Sequence, residues 1–177
     1  STCCATASTE NNKKTTMNKI VTLLAVLALT ASCCGSKPEK RVHKLLMDRM
    51  LTLSVAESCT GGSIASRFTA MPGASAYFKG GVVTYWNQTK SLLLNVSADT
   101  IARYGVVSEQ VVRQMAEGAR RAAGADYGIA TTGIAGPTGG SAEKPVGTVW
   151  IGVRSRERTV AILKQCGTDR GQIIDRA

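Results

Sequence analysis

The run LTLSVAESCTGG, Leu51 to Gly62, constrains the fold more than any other part of this chain. Its first half alternates over Leu51–Ala56, the period of a short strand. It then turns polar at Glu57, Ser58, Cys59 and Thr60, and Gly61-Gly62 followed by SIASRF marks a helix over Gly61–Ala70. A strand handed directly to a helix opens a βα unit and sets polar side chains beside the orphan N–H groups of a helix N-terminus. Such a turn suits an anion or an activated hydroxyl. The plainer role for Ser58 or Thr60 is to cap the helix.

The remaining pattern extends that unit. Glu39–Met50 carries Val42, Leu45, Leu46 and Met50 at helical spacing, and AYFKGGVVTYW reads as a strand after the turn MPGAS. NQTKSLLL and SADTIARY read as short helices. Ser108 caps a strong helix whose apolar face is Val111, Val112, Met115, Ala116 and Ala119, and Gly124 ends it. DYGIATT is a buried strand, and TVWIGVRS with RTVAILKQC forms a hairpin pair. Helices between strands, then adjacent strands, predict an α/β fold: a three-layer α/β/α sandwich with a mixed sheet.

Charge and side-chain chemistry narrow the function. The chain of 177 residues has a net charge of +10, and the basic residues are mostly scattered. A basic surface attracts nucleic acid or anionic metabolites. No helix-turn-helix, zinc pattern or RNA-binding signature favours nucleic acid, so none is expected as a partner. Four of six cysteines, Cys3, Cys4, Cys33 and Cys34, lie in the first 36 residues, leaving Cys59 and Cys166 for the folded region. Two cysteines so far apart make neither a disulfide scaffold nor a metal pair, and a structural role suits Cys59 better than a nucleophilic one. The single histidine, His43, falls in the first predicted helix, which argues against a Ser-His-Asp triad and histidine-ligated metal. Any base must be Lys, Tyr or a carboxylate.

The front end does not match the rest. Residues 1–16 are polar and low in complexity. MNKIVTLLAVLALTASCCGS then has a short basic lead, an apolar run over Ile20–Leu29 and small residues before Cys33, the layout of a secretory or bacterial lipoprotein signal. The run is short for a membrane span. A real signal would start at Met17 and anchor the chain to the membrane through lipidated Cys33; a misassigned start or fused upstream frame would equally explain the mismatch. The composition changes at GSKPEK, giving a tail over 1–36 and a folded domain over 37–177.

The loop GIAGPTGGSAEKPVG follows a buried strand, the place where open α/β sheets bind ligands. Four of its glycines, Gly133, Gly136, Gly139 and Gly140, let backbone N–H groups approach a ligand. It lacks the Gly-Lys-Ser/Thr ending of a P-loop.

Taken in order, AESCTGG, PGASAYFKGGVVTYWNQTK, YGVVSEQVV and TTGIAGPTGGSAEKPVGTVWIGV resemble the C-terminal domain of the CinA family, the nicotinamide-nucleotide amidohydrolase (nicotinamide mononucleotide deamidase) domain, from about Lys37 onward. The resemblance implies a cytoplasmic, homodimeric bacterial enzyme of pyridine nucleotide salvage. It would hydrolyse the carboxamide of nicotinamide mononucleotide to nicotinate mononucleotide and ammonia, without cofactor or metal. Amide hydrolysis needs a nucleophile, a base and an oxyanion site. Without a usable histidine, a serine activated by a lysine of lowered pKa meets that need.

By resemblance, Lys90 ends the family's Tyr-x-Asn-x-x-Lys pattern with Tyr85 and Asn87, and Tyr85 relays a proton or holds developing charge. Two serines compete as nucleophile. Ser75, matching the second serine of the family's Gly-Ser-Ser, is favoured; Ser58 is the alternative. With Ser75 as nucleophile, Ser58, Thr60 and Gly61 would bind substrate, its phosphate included, at the helix N-terminus. Thr132, Gly133, Gly136 and Arg170 are expected to contact substrate, Arg170 through a planar fork that suits phosphate. Trp86, Gln88 and Ala74 depart from the family's usual residues, and the chain stops at Ala177, where relatives continue the last helix. Those departures keep a second reading open: a catalytically silent nucleotide-binding or competence- and damage-associated module.

Overall fold

A computed structural model describes residues 38–177. The signal-like segment and Cys33 lie outside the described residues. Helix α1, Pro38–Arg49, has proline at its first position and Glu39 in its first turn, both suited to a helix start. It buries Val42 and Leu46. Strand β1, Leu53–Glu57, is buried along its whole length. Helix α2, Ser63–Thr69, follows, then a 3-10 turn at Ala74–Ala76 and strand β2, Phe78–Val83. Helices α3, Asn87–Leu94, α4, Ala98–Tyr104, and α5, Glu109–Ala122, precede strand β3, Tyr127–Gly133. Strands β4, Thr148–Arg154, and β5, Thr159–Gln165, form the hairpin, and α6 spans Arg170–Arg176.

The five strands make one sheet in the order β2-β1-β3-β4-β5. β1 is parallel to both neighbours, whereas β4 is antiparallel to β3 and to β5. Strand alternation sorts the core into two layers. Leu53 and Val55 of β1 and Val153 of β4 pack with Val42, Leu46 and Phe68 of α1 and α2. Ala56 of β1 and Ala130 of β3 pack with Val111, Val112, Met115, Ala116 and Ala119 of α5. Helices on both faces of a mixed sheet make the three-layer sandwich that the helix and strand pattern predicts.

Helix α5 sits directly on backbone. A Cβ at Gly128 of β3 would lie 2.0 Å from the Ala116 carbonyl oxygen, and one at Gly118 would lie 2.2 Å from the Leu94 carbonyl oxygen. No side chain fits in either gap. Ser108 caps α5 as expected, its Oγ accepting from the Val111 N–H at 3.4 Å.

Strand β1 starts two residues later than the alternation from Leu51 suggests and runs on to Glu57, and two further boundaries differ from the sequence reading. Helix α2 begins at Ser63 because Gly61 and Gly62 have φ of 61° and 103°, a left-handed turn that glycine takes without strain. Strand β2 is shorter at both ends than AYFKGGVVTYW. It is an edge strand paired only with β1, and that pairing stops where Val83 meets Glu57.

Candidate active site

The parallel strands β1, β2 and β3 point their carboxyl ends at one edge of the sheet, and β5 ends there too. That edge therefore collects the turn after β1, the stretch after β2, the glycine-rich loop after β3 and the start of α6. A cavity of about 540 Å³ opens there, within the range that holds small-molecule ligands. Of the residues singled out from sequence, Ser58, Tyr85, Lys90, Thr132, Gly133, Gly136 and Arg170 line it.

Ser58 is held by its backbone. Its N–H continues the ladder to β3, donating to the Thr131 carbonyl at 3.1 Å, and its carbonyl accepts from the Gly61 N–H at 3.2 Å. Its side chain makes no hydrogen bond among the described residues and faces the cavity wall. Lys90, on the second turn of α3, is only 1% exposed. Its Nζ donates to the Thr84 carbonyl at 2.7 Å. Burial pushes the Lys90 pKa below the usual lysine range, with the neighbouring Cys59 opposing that shift. The same burial raises the Cys59 thiol to about 11, so the thiol stays protonated near neutrality and makes a poor nucleophile.

Arg170 bridges the mouth of the cavity. One guanidinium nitrogen donates to the Gly136 carbonyl at 2.7 Å and the other to Tyr85 Oη at 2.8 Å. Thr132 is buried and donates to the Val106 carbonyl at 2.8 Å, tying β3 to the turn between α4 and α5. Gly133 leaves no room for a side chain, since a Cβ would lie 2.7 Å from the Thr148 carbonyl oxygen. His43 stands elsewhere, its Nδ1 3.3 Å from Tyr77 Oη.

Ser75, Thr60 and Gly61, expected to react with or bind substrate, fall outside this cavity, as does Gly140 of the glycine-rich loop. Ser75 is exposed in the 3-10 turn before β2. Tyr85 and Lys90 lie beyond the other end of that strand, and six residues of strand put about 20 Å between the two ends. Within the chain, Ser75 is therefore remote from the lysine it was paired with. Thr60 is buried and hydrogen-bonded to Thr131 at 2.8 Å between the two Oγ1 atoms. Gly61 serves the turn.

The helix N-terminus offered to a substrate phosphate is already occupied. Glu57, fully buried, accepts from the backbone N–H groups of Gly62, Ile64 and Ala65 at 2.9, 3.1 and 2.7 Å. The cap of α2 is this carboxylate rather than Ser58 or Thr60. A polar residue at a strand end gives no sign of that role, because the two left-handed glycines bring its donors back around. Glu57→Gln replaces one acceptor oxygen with a donor facing N–H groups. It is expected to destabilise the fold by about 2–3 kcal/mol, read as a lowered urea midpoint with unchanged slope.

Fold and cavity together define an α/β protein with a cavity lined by a serine and a buried lysine. The model of the CinA C-terminal domain matches residues 35–177, and the chain belongs to that family. A nicotinamide-nucleotide amidohydrolase PncC of Enterobacter agglomerans is 51% identical over 134 residues, covering 72% of this chain and 82% of that protein. A putative competence-damage inducible protein of Desulforudis audaxviator is 54% identical over 123 residues, which cover 70% of this chain but 30% of that protein. The chain thus spans about a third of the length of several curated relatives. Among solved structures, the competence/damage inducible protein CihA from Agrobacterium tumefaciens superposes with a TM-score of 0.75 at 40% identity, covering 77% of this chain and 84% of that one. No helix among the described residues is long and apolar enough to cross a membrane.

Proposed function

We propose that the chain hydrolyses the carboxamide of nicotinamide mononucleotide to nicotinate mononucleotide and ammonia, with Ser58 as nucleophile and Lys90 as base. The observation that carries this reading is a buried lysine of lowered pKa lining the same cavity as an unbonded serine hydroxyl. The similarity to an amidohydrolase of nicotinamide nucleotides over 82% of its length supplies the substrate.

Lys90 in its neutral form takes the Ser58 proton as Oγ attacks the carboxamide carbon. Tyr85 Oη accepts a hydrogen bond from Arg170, so its own proton is free for the oxyanion of the tetrahedral intermediate. The protonated Lys90 then gives its proton to the departing amine, and ammonia leaves. Water, deprotonated by the same lysine, cleaves the acyl-serine and restores both groups. Every step is proton transfer or acyl transfer between named atoms. The reading carries with it a cytoplasmic homodimer. Val83 at the end of the edge strand β2 and Trp86 just after it, exposed by 48% and 71%, give a second copy apolar side chains to cover.

The test is to incubate the purified chain with nicotinamide mononucleotide and measure ammonia against time. Release at a rate proportional to enzyme is expected. A folded protein that binds the nucleotide and releases no ammonia would instead be a silent binding module.

A further inference from the structure

The charge around the cavity is one-sided. Lys90, Lys144 and Arg170 line it, and none of its lining residues is Asp or Glu. Lys90 is assigned to the amide, and Arg170 is engaged at the mouth with Tyr85 and Gly136. Lys144 has no part in the chemistry proposed above.

Lys144 stands on the glycine-rich loop between β3 and β4. Its Nζ donates to the Tyr104 carbonyl at 3.2 Å and to the Val107 carbonyl at 2.9 Å. An ammonium carries three N–H donors, so one remains. The two carbonyls fix the nitrogen in place without cancelling its charge. The backbone beneath it is also pinned. The Lys144 N–H donates to Ser141 Oγ at 3.1 Å, and the Ser141 N–H returns a bond to the Lys144 carbonyl at 2.9 Å. Its acidic neighbour Glu143 is exposed and accepts from Ser141 Oγ at 2.9 Å. Lys144 is thus a preset cation on the cavity wall with a donor to spare, opposite no carboxylate.

We infer that Lys144 is the phosphate-recognition residue of this cavity, holding the 5′-phosphate of a mononucleotide and setting its preference over the nucleoside. The inference rests on the mononucleotide reading above. A phosphate there receives a charge-assisted hydrogen bond from a group already in position, so little ordering accompanies binding. The expected site is thus a loop lysine, not the helix N-terminus that Glu57 fills.

The deciding measurement is calorimetric binding of ribose 5-phosphate to the full chain and to its Lys144→Met and Lys144→Arg variants. The amide plays no part in it, so it stands whether or not ammonia is released from nicotinamide mononucleotide. Lys144→Met is expected to weaken binding at least tenfold, and Lys144→Arg to stay within about threefold, the difference between losing and keeping one charge-assisted bond. Equal affinity in wild type and Lys144→Met, or no binding by wild type, overturns the inference. In turnover the loss should fall on KM for nicotinamide mononucleotide, at least tenfold, and not on kcat. A fall in kcat at constant KM would mean that Lys144 only braces the loop, and would equally overturn it.

Discussion

Ser58→Ala should stop ammonia release from nicotinamide mononucleotide, lowering kcat by about 1000-fold or more, while Ser75→Ala keeps activity within a factor of about three. The asymmetry follows from the sheet. Ser58 extends the carboxyl end of β1 into the cavity, and Ser75 is exposed in the turn before β2, at the sheet's other edge. Because the Ser58 side chain makes no hydrogen bond among the described residues, its removal leaves the fold intact. Matching thermal melts for wild type and both variants separate lost chemistry from lost structure. The opposite result, an inactive Ser75→Ala beside an active Ser58→Ala, would reverse the assignment and require Ser75 to reach a lysine of another copy.

Lys90→Met carries the second large effect. Methionine fills nearly the same volume without the amine, so the variant should fold while kcat falls by about 100- to 10,000-fold, the range for a lost general base. Its stability near neutral pH should equal or exceed that of wild type, since a buried amine is held at a desolvation cost. The pH dependence follows from the direction of the shift. Burial lowers the folded pKa of Lys90, and the neutral amine is the active form, so the wild-type rate should rise with pH until that pKa is passed. Between the lowered value and the usual lysine value the unfolded chain binds the extra proton. Wild-type stability should therefore rise with pH across that window, and Lys90→Met should lack that increment. A variant with wild-type rate, or a rate that falls as pH rises through neutrality, would remove Lys90 from the role of base.

Much of the fold is legible because local and global signals agree. The apolar face of α5 has helical period, Ser108 caps it, and the same five residues form the core against β1 and β3. The cavity residues are legible for a different reason. Tyr85, Lys90, Thr132 and Arg170 are picked out by their resemblance to the family's motifs, and they meet in one cavity because they end or follow strands, or lie in the first turns of a helix, at one end of the sheet. Ser75 stands apart from the cavity because nearness along a chain is the wrong measure when the chain runs as a strand. The few residues from Ser75 to Tyr85 cross the whole sheet. Glu57 is hidden for the converse reason, since its role depends on two glycines reversing the backbone so that donors five to eight positions onward return to it. Lys144 lies in a loop without period, where only contacts reveal that its ammonium is fixed.

The bare contacts of α5 with β3 and with α3 have their own consequence for how this protein tolerates change. Ala116 rests against Gly128 and Gly118 against Leu94 with no compressible side chain between them, so α5 has no slack to absorb displacement. The helix begins directly after the turn whose carbonyls at Val106 and Val107 hold Thr132 and Lys144. An added methyl at Gly128, far from any reacting atom, must therefore push the helix outward and carry the cavity wall with it. A substitution at Gly128 is therefore expected to disturb the cavity as well as the core.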